Sequence, residues 1–470
     1  MQQPKLLISA AKLNKRLMNS RRFKSTFLTA LETASQLVKP QSWLKDPLLL
    51  VSNEMKTISK DIIKVLGSGH PILNRAANYY FESDGKRIRP MLVLLLSRAI
   101  SEIPVEKRTR IKIDYKDIEY LSAYKLPNPT IKTSNSFTPL HLLSGINPLS
   151  PLTKGTESNN VESDLQRGIL PKQRKLAEII EMIHTASLLH DDVIDQSPMR
   201  RGKPSVDVAF SNKMAVLAGD FILARAMISV SRLNNSEITE ILANAIGNLV
   251  EGEFMQMKNT VFSQADGSNK EGNTKSLADG LNSQSKSDEH MFSNPDGENV
   301  SHKTMVETAF EYYLNKTYLK TAALISTSCR AAAILSGAHE DVIEQSYEFG
   351  KNLGICFQLV DDMLDYTASE EHLGKPAGAD LSLGLATAPA LYAWKEEPSL
   401  GLLIQRNFSQ PGDPQRMIEA VIKYNGVNKT RELAREYRDK ALMNLREVLP
   451  ESDSRAALEF LTNSILTRSK

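Results

Sequence analysis

Residues 171–195 read PKQRKLAEIIEMIHTASLLHDDVID, and their repeat decides the fold class. Leu176, Ile179, Ile180, Ile183 and Ser187 recur every three or four positions, the spacing of one helix face. This predicts a helix that begins near Lys172 and closes on the acidic cluster Asp191-Asp192-Val193-Ile194-Asp195. Segments 213–232, 238–259, 303–336, 339–366 and 429–447 keep the same period, and strand-like alternation is scarce. Gly337-Ala338-His339 marks a break between two long helices. The chain is expected to be all-α.

Two stretches interrupt that pattern. Residues 104–171 are rich in proline and show little periodicity, and 263–301 are dominated by Ser, Asn, Gly, Asp and Lys. Both read as irregular inserts. The first 40 residues carry eight Lys/Arg and one acid, Glu32, for a charge of +7; the whole chain is only +3, so the other 430 residues sum to −4. A leader rich in Arg, Lys, Ser and Leu resembles a mitochondrial presequence. Without leader and inserts, roughly 320 residues remain within 41–470, suited to one helical domain. The mildly acidic body argues against a nucleic-acid partner. Unbroken apolar runs such as Met91–Leu96 are too short to cross a bilayer. Cys329 and Cys356, the only two cysteines, cannot make a disulfide framework or a four-ligand zinc site.

The acidic cluster occurs a second time, as Asp361-Asp362-Met363-Leu364-Asp365. On a helix, Asp191 shares a face with Asp195, and Asp361 with Asp365, so like charges stack and weaken the helix unless a cation joins them. Carboxylate oxygens without an accompanying His/Cys cluster favour Mg²⁺ over zinc. Mg²⁺ is held by one or two carboxylates plus phosphate oxygens and water, so two such clusters suit a diphosphate. Cations lie near both: Gly85-Lys86-Arg87-Ile88-Arg89-Pro90, Arg200-Arg201-Gly202-Lys203-Pro204, Lys316 and Lys320-Thr321, and Gly374-Lys375-Pro376. Guanidinium and ammonium groups are the usual partners of phosphate. Together these residues describe a site for two anionic, metal-bound substrates.

The set GKRIRP (85–90), HTASLLHDDVID (184–195), MRRGKP (199–204), AGD (218–220), EGEFMQ (251–256), KTAALI (320–325), FQLVDDMLD (357–365) and GKPAGADL (374–381) resembles the trans-polyprenyl diphosphate synthases. The likeness covers about 60–100 and 170–465. Leader and inserts make the chain similar to the fungal mitochondrial members that build the ubiquinone side chain. The resemblance implies an isoprenoid synthase-type helical bundle around a central cavity, with the acidic motifs facing each other across its mouth. It implies sequential 1'-4 condensation of isopentenyl diphosphate onto an allylic diphosphate, farnesyl or geranylgeranyl, with a hexaprenyl product expected. It further implies a homodimer and peripheral contact with the matrix side of the inner mitochondrial membrane.

Carried over by motif, Asp191, Asp195 and Asp361 would bind Mg²⁺, with Asp192, Asp362 and Asp365 completing the six catalytic aspartates. Lys86, Arg89, His184 and Arg201 would bind isopentenyl diphosphate. Arg200, Lys320, Thr321, Gln358 and Lys375 would contact the allylic diphosphate. The same resemblance places control of product length beneath the first acidic motif, at Ala186 and Ser187, whose small side chains leave room for a long chain. One departure stands out: Leu385 lies where family members often carry a second lysine. Two other readings fit less well. A class I terpene cyclase needs no second DDxxD, and a non-catalytic subunit of a heteromeric synthase tends to lose aspartates that are all present here.

Overall fold

The computed structural model describes residues 47–82, 87–104, 107, 168–200, 202–258, 292–293, 299–367 and 378–467. The leader, the bulk of both inserts, and Lys86, Arg201 and Lys375 lie outside these residues. The principal elements are helices: α1 (Ser52–Val65), α2 (Pro71–Asn78), α3 (Ile88–Ser101), α4 (Pro171–Ile194), α5 (Asn212–Ser231), α6 (Ser236–Lys258) and α7 (His302–Thr317). They continue with α8 (Ala323–Leu335), α9 (Glu340–Thr367), α10 (Ala388–Glu396), α11 (Asp413–Lys423), α12 (Gly426–Val448) and α13 (Asp453–Leu466). Among the described residues, extended structure is confined to two antiparallel pairs, Met199–Arg200 with Lys203–Pro204 and Phe292–Ser293 with Asn299–Val300. The chain is all-α, as its periodicity predicts.

The described residues group into two compact units, one drawn from 1–246, 324–353 and 438–470, the other from 247–323 and 354–437. In the first, α4 packs on α5, α3 and α1. Leu176, Ile179, Ile180 and Ile183 of α4 are fully buried, as are Met91, Val93, Leu94, Leu95 and Leu96 of α3. Each such aliphatic side chain contributes about 1.5–3 kcal/mol by leaving water. Gly337 takes φ +63° between α8 and α9, the left-handed turn expected at that break. By length and composition α5 could cross a membrane, which a search for unbroken apolar runs misses because Lys213, Asp220 and Arg225 interrupt it. Its Ala215, Ala218, Gly219, Ile222 and Ala226 are buried and pack within this unit, while Val216 and Leu217 are exposed.

In the second unit α7 and α11 both pack on α10, whose Trp394 is fully buried. A local departure from the sequence reading falls here. The periodicity predicts an uninterrupted helix over 303–336, but Tyr318–Ala322 forms a π-helical turn between α7 and α8. Two glycines from other helices press against it. A Cβ on Gly252 of α6 would sit 2.9 Å from the Lys320 nitrogen, and one on Gly354 of α9 would sit 2.6 Å from the Ala322 Cα. Backbone atoms cannot swing aside as a side chain can. Gly354→Ala is therefore expected to cost about 2 kcal/mol by overpacking, seen as a lower urea midpoint at unchanged slope. An unchanged midpoint would show that the π turn yields freely.

Candidate active site

The first acidic motif closes α4. The helix ends at Ile194, and the backbone N–H of Asp195 donates to the Asp191 carbonyl, so the two outer carboxylates lie one turn apart on the same face. Both are partly exposed, whereas Asp192 between them is fully buried. Its carboxylate is enclosed by donors. The Tyr80 hydroxyl donates to Oδ2, while Arg200 donates to Oδ1 through Nε at 2.8 Å and through Nη2. Burial and the neighbouring Asp192 charge push the Tyr80 phenol upward, so it remains a protonated donor. Arg200 lies on the hairpin after the motif, whose turn includes Gly202 at φ +75°. Tyr79 secures the same hairpin by donating to the Pro204 carbonyl at 3.1 Å.

Two turns before Asp191, half-buried His184 meets Arg89 from the start of α3, with Nε2 and Nη1 2.9 Å apart. Two residues assigned to one substrate from separate motifs, 95 positions apart, thus touch. His190 instead packs over Gly219, where a Cβ would fall 2.2 Å from its ring. That contact accounts for the glycine of AGD and marks the ring as part of the packing. Ala186 is fully buried, while Ser187 is half-buried and donates to the His184 carbonyl at 2.9 Å.

The second motif, within α9, repeats the arrangement. Asp361 is exposed and Asp365 partly so, whereas Asp362 is 3% exposed. Tyr313 of α7 donates to Asp362 Oδ2 at 2.6 Å, and Gln358 donates to Oδ1 at 2.8 Å. Gln358 in turn accepts from Thr321 of the π turn at 2.8 Å, which joins two of the five predicted allylic-site residues to the motif. Burial pushes the Asp362 carboxyl up to about 6 and the Tyr313 phenol well above its ordinary range. Asp365 accepts the backbone N–H groups of Ala379 and Asp380, which ties these two residues to the motif. Asp380 itself is pushed up to about 8, by burial first and then by Asp362, Asp365 and Asp361. Lys320 is paired with Glu253 of α6 at 2.6 Å.

Among the described residues, no group of three or more His, Cys, Asp or Glu gathers closely enough to hold a metal unaided. The carboxylates that reach the surface at the predicted metal positions are Asp191 and Asp195, one turn apart on α4, and Asp361 on α9. That set fits Mg²⁺, which keeps its remaining positions for water and substrate phosphate, and does not fit a closed zinc site.

The polyprenyl synthetase family model matches residues 157–277 and 289–424. The mitochondrial hexaprenyl pyrophosphate synthase of Saccharomyces cerevisiae is 59% identical over 97% of this chain and 98% of its own length. The chain belongs to the polyprenyl synthetase family.

This polyprenyl synthetase is accordingly a prenyltransferase, and its family works on isoprenyl diphosphates. A polyprenyl synthase from Caulobacter crescentus, complexed with calcium and isoprenyl diphosphate, is 26% identical, with a TM-score of 0.61 over 90% of this chain and 97% of that one. A decaprenyl diphosphate synthase from Rhodobacter capsulatus shares the fold, at 24% identity and a TM-score of 0.61 over 90% and 98% of the two chains. Four residues at the motifs escape a reading of the sequence: Tyr80, Tyr313, Glu253 and Asp380. Tyr313 stands seven residues before Lys320 at helical spacing and Glu253 lies within EGEFMQ, but neither pattern names a partner. Tyr80 has no local signal, because its partner is 112 residues away.

Proposed function

We propose that this prenyltransferase condenses isopentenyl diphosphate repeatedly onto farnesyl or geranylgeranyl diphosphate, by 1'-4 addition with trans geometry, to make hexaprenyl diphosphate. The observation that carries this reading is the 59% identity to the yeast enzyme over nearly the full length of both chains, with all six motif aspartates present. The product would supply the ubiquinone side chain. The mitochondrial designation of that relative supports the same compartment, with residues 1–40 as presequence. A homodimer and peripheral contact with the matrix side of the inner membrane complete the proposal.

Asp191, Asp195 and Asp361 are the residues that would hold Mg²⁺. When bound, Mg²⁺ supplies positive charge against the departing diphosphate. Lys320, Arg200 and Lys375 neutralise further charge on the allylic diphosphate, so that its C–O bond can ionise. The oxygens of Thr321 and Gln358 lie together, and their dipoles would steady the allylic cation. Lys86, Arg89, His184 and Arg201 grip the isopentenyl diphosphate, and the Arg89–His184 contact supports that grouping. The isopentenyl double bond forms the new carbon–carbon bond. A proton then leaves to the released diphosphate, which restores the alkene. Glu253 fits this scheme as the counter-ion that holds Lys320 in place until substrate arrives.

The test is to incubate the full chain with Mg²⁺, farnesyl diphosphate and labelled isopentenyl diphosphate, and to size the dephosphorylated products by chromatography. A discrete long polyprenol that disappears with EDTA and returns with Mg²⁺ is expected. A folded protein that incorporates no label from any primer would instead be a non-catalytic subunit.

A further inference from the structure

The second aspartate of each acidic motif differs from its neighbours in a way that repeats in both units. Asp192 is fully buried and Asp362 is 3% exposed, while every outer aspartate reaches the surface in part. On Asp192, Oδ2 takes the Tyr80 hydroxyl and Oδ1 takes Arg200. On Asp362, Oδ2 takes the Tyr313 hydroxyl and Oδ1 takes Gln358. Each carboxylate therefore has one oxygen committed to a tyrosine from a distant segment and the other to a side chain assigned to the allylic diphosphate. Such a carboxylate is poorly placed to turn toward a cation.

We infer that Tyr80 and Tyr313 are positioning residues: through Asp192 and Asp362 they hold Arg200 and the Gln358–Thr321 pair in the orientation that meets a substrate diphosphate. The inference rests on the function proposed above, and it gives the two middle aspartates, which lie outside the proposed metal-binding set, a role of their own. The geometry at Arg200 suits the role. A guanidinium has five N–H donors, and two edges of its fork can serve different acceptors. Asp192 takes Nε and Nη2, which leaves the Nη1 edge for phosphate. The Tyr80 oxygen also accepts the Val206 N–H at 3.2 Å, so one phenol ties the end of α2, the acidic motif and the segment after the hairpin together. In the second unit Tyr313 lies on the helix that runs into the π turn bearing Thr321, and the relay closes from Tyr313 through Asp362 and Gln358 back to that turn.

The test is a calorimetric titration of inorganic diphosphate, at fixed Mg²⁺, into the full-length wild type, Tyr80→Phe, Asp192→Asn and the double variant. Tyr80→Phe is expected to weaken binding about tenfold, the size of one hydrogen bond to a charged group. In the Asp192→Asn background the same change should add less than twofold, because the tyrosine acts through that carboxylate. Tyr313→Phe should behave alike with Asp362→Asn. In turnover, Tyr80→Phe should raise KM for the allylic diphosphate about tenfold with kcat within about threefold. The Mg²⁺ concentration for half-maximal rate should stay unchanged in Asp192→Asn and rise strongly in Asp191→Asn. A Tyr80→Phe effect that persists undiminished without the Asp192 carboxylate would overturn the inference, as would a Mg²⁺ requirement shifted as far by Asp192→Asn as by Asp191→Asn. Should one tyrosine variant fail to fold, the other decides. A wild type that binds diphosphate but adds no isopentenyl unit defeats the proposed reaction and leaves the calorimetric coupling to decide the tyrosines.

Discussion

Asp191→Asn is expected to slow isopentenyl incorporation about a thousandfold at saturating substrate, the scale set by loss of a charge-stabilising group at a reacting centre. The substitution keeps the size and shape of the side chain and removes only its charge. Asp191 lies at the end of α4, partly exposed and one turn from Asp195, so replacing its charge relieves a like-charge pair at i and i+4. The helix should be as stable as before or slightly more so. Loss of activity with unchanged circular dichroism and an equal or higher thermal midpoint would thus separate the chemical role from a structural one. The contrast with its neighbour sharpens the result. Asp192→Asn deprives Arg200 of its partner in a fully buried place, and so should lower stability as well as substrate affinity. A fall of less than tenfold for Asp191→Asn would move the metal-binding role to other carboxylates.

Ser187→Phe is expected to shorten the product from about six isoprene units to about three or four. Ser187 is one helical turn, about 5.4 Å, deeper along α4 than Asp191, so a ring there would block a chain that grows downward from the motif. The structure separates the two positions named for this role. Ala186 is fully buried, and an added ring would have to displace packed neighbours at a cost of about 1–3 kcal/mol or more. Ser187 is half-buried and loses only a hydrogen bond to the His184 carbonyl, so its variant should fold and report on length alone. Chromatographic sizing of the dephosphorylated polyprenols decides the matter. Full-length product from a folded Ser187→Phe enzyme would mean that the growing chain leaves by another route.

Much of this protein follows from local order. Leu176, Ile179, Ile180 and Ile183 specify α4 because a helix places every third or fourth side chain on one face, and that relation needs no partner. Asp191 and Asp195, or Asp361 and Asp365, can be paired by counting, since they too are one turn apart on their own helices. The motif strings carry the family likeness for the same reason: their spacing is written along the chain. What counting cannot supply is any contact made across the fold. Asp191 and Asp192 are the same residue type at adjacent positions, and tertiary packing separates them, one partly exposed and the other closed off by Tyr80 and Arg200. Tyr313 joins Asp362 across 49 residues, and Glu253 joins Lys320 from another helix. The π turn at 318–322 breaks an unblemished helical period because Gly252 and Gly354 let two other backbones press against it. The sequence determined which elements form and which residues could carry the chemistry, because those depend on spacing along one helix. The tertiary structure decided which carboxylates are buried and which reach the surface, because that depends on what packing brings beside them.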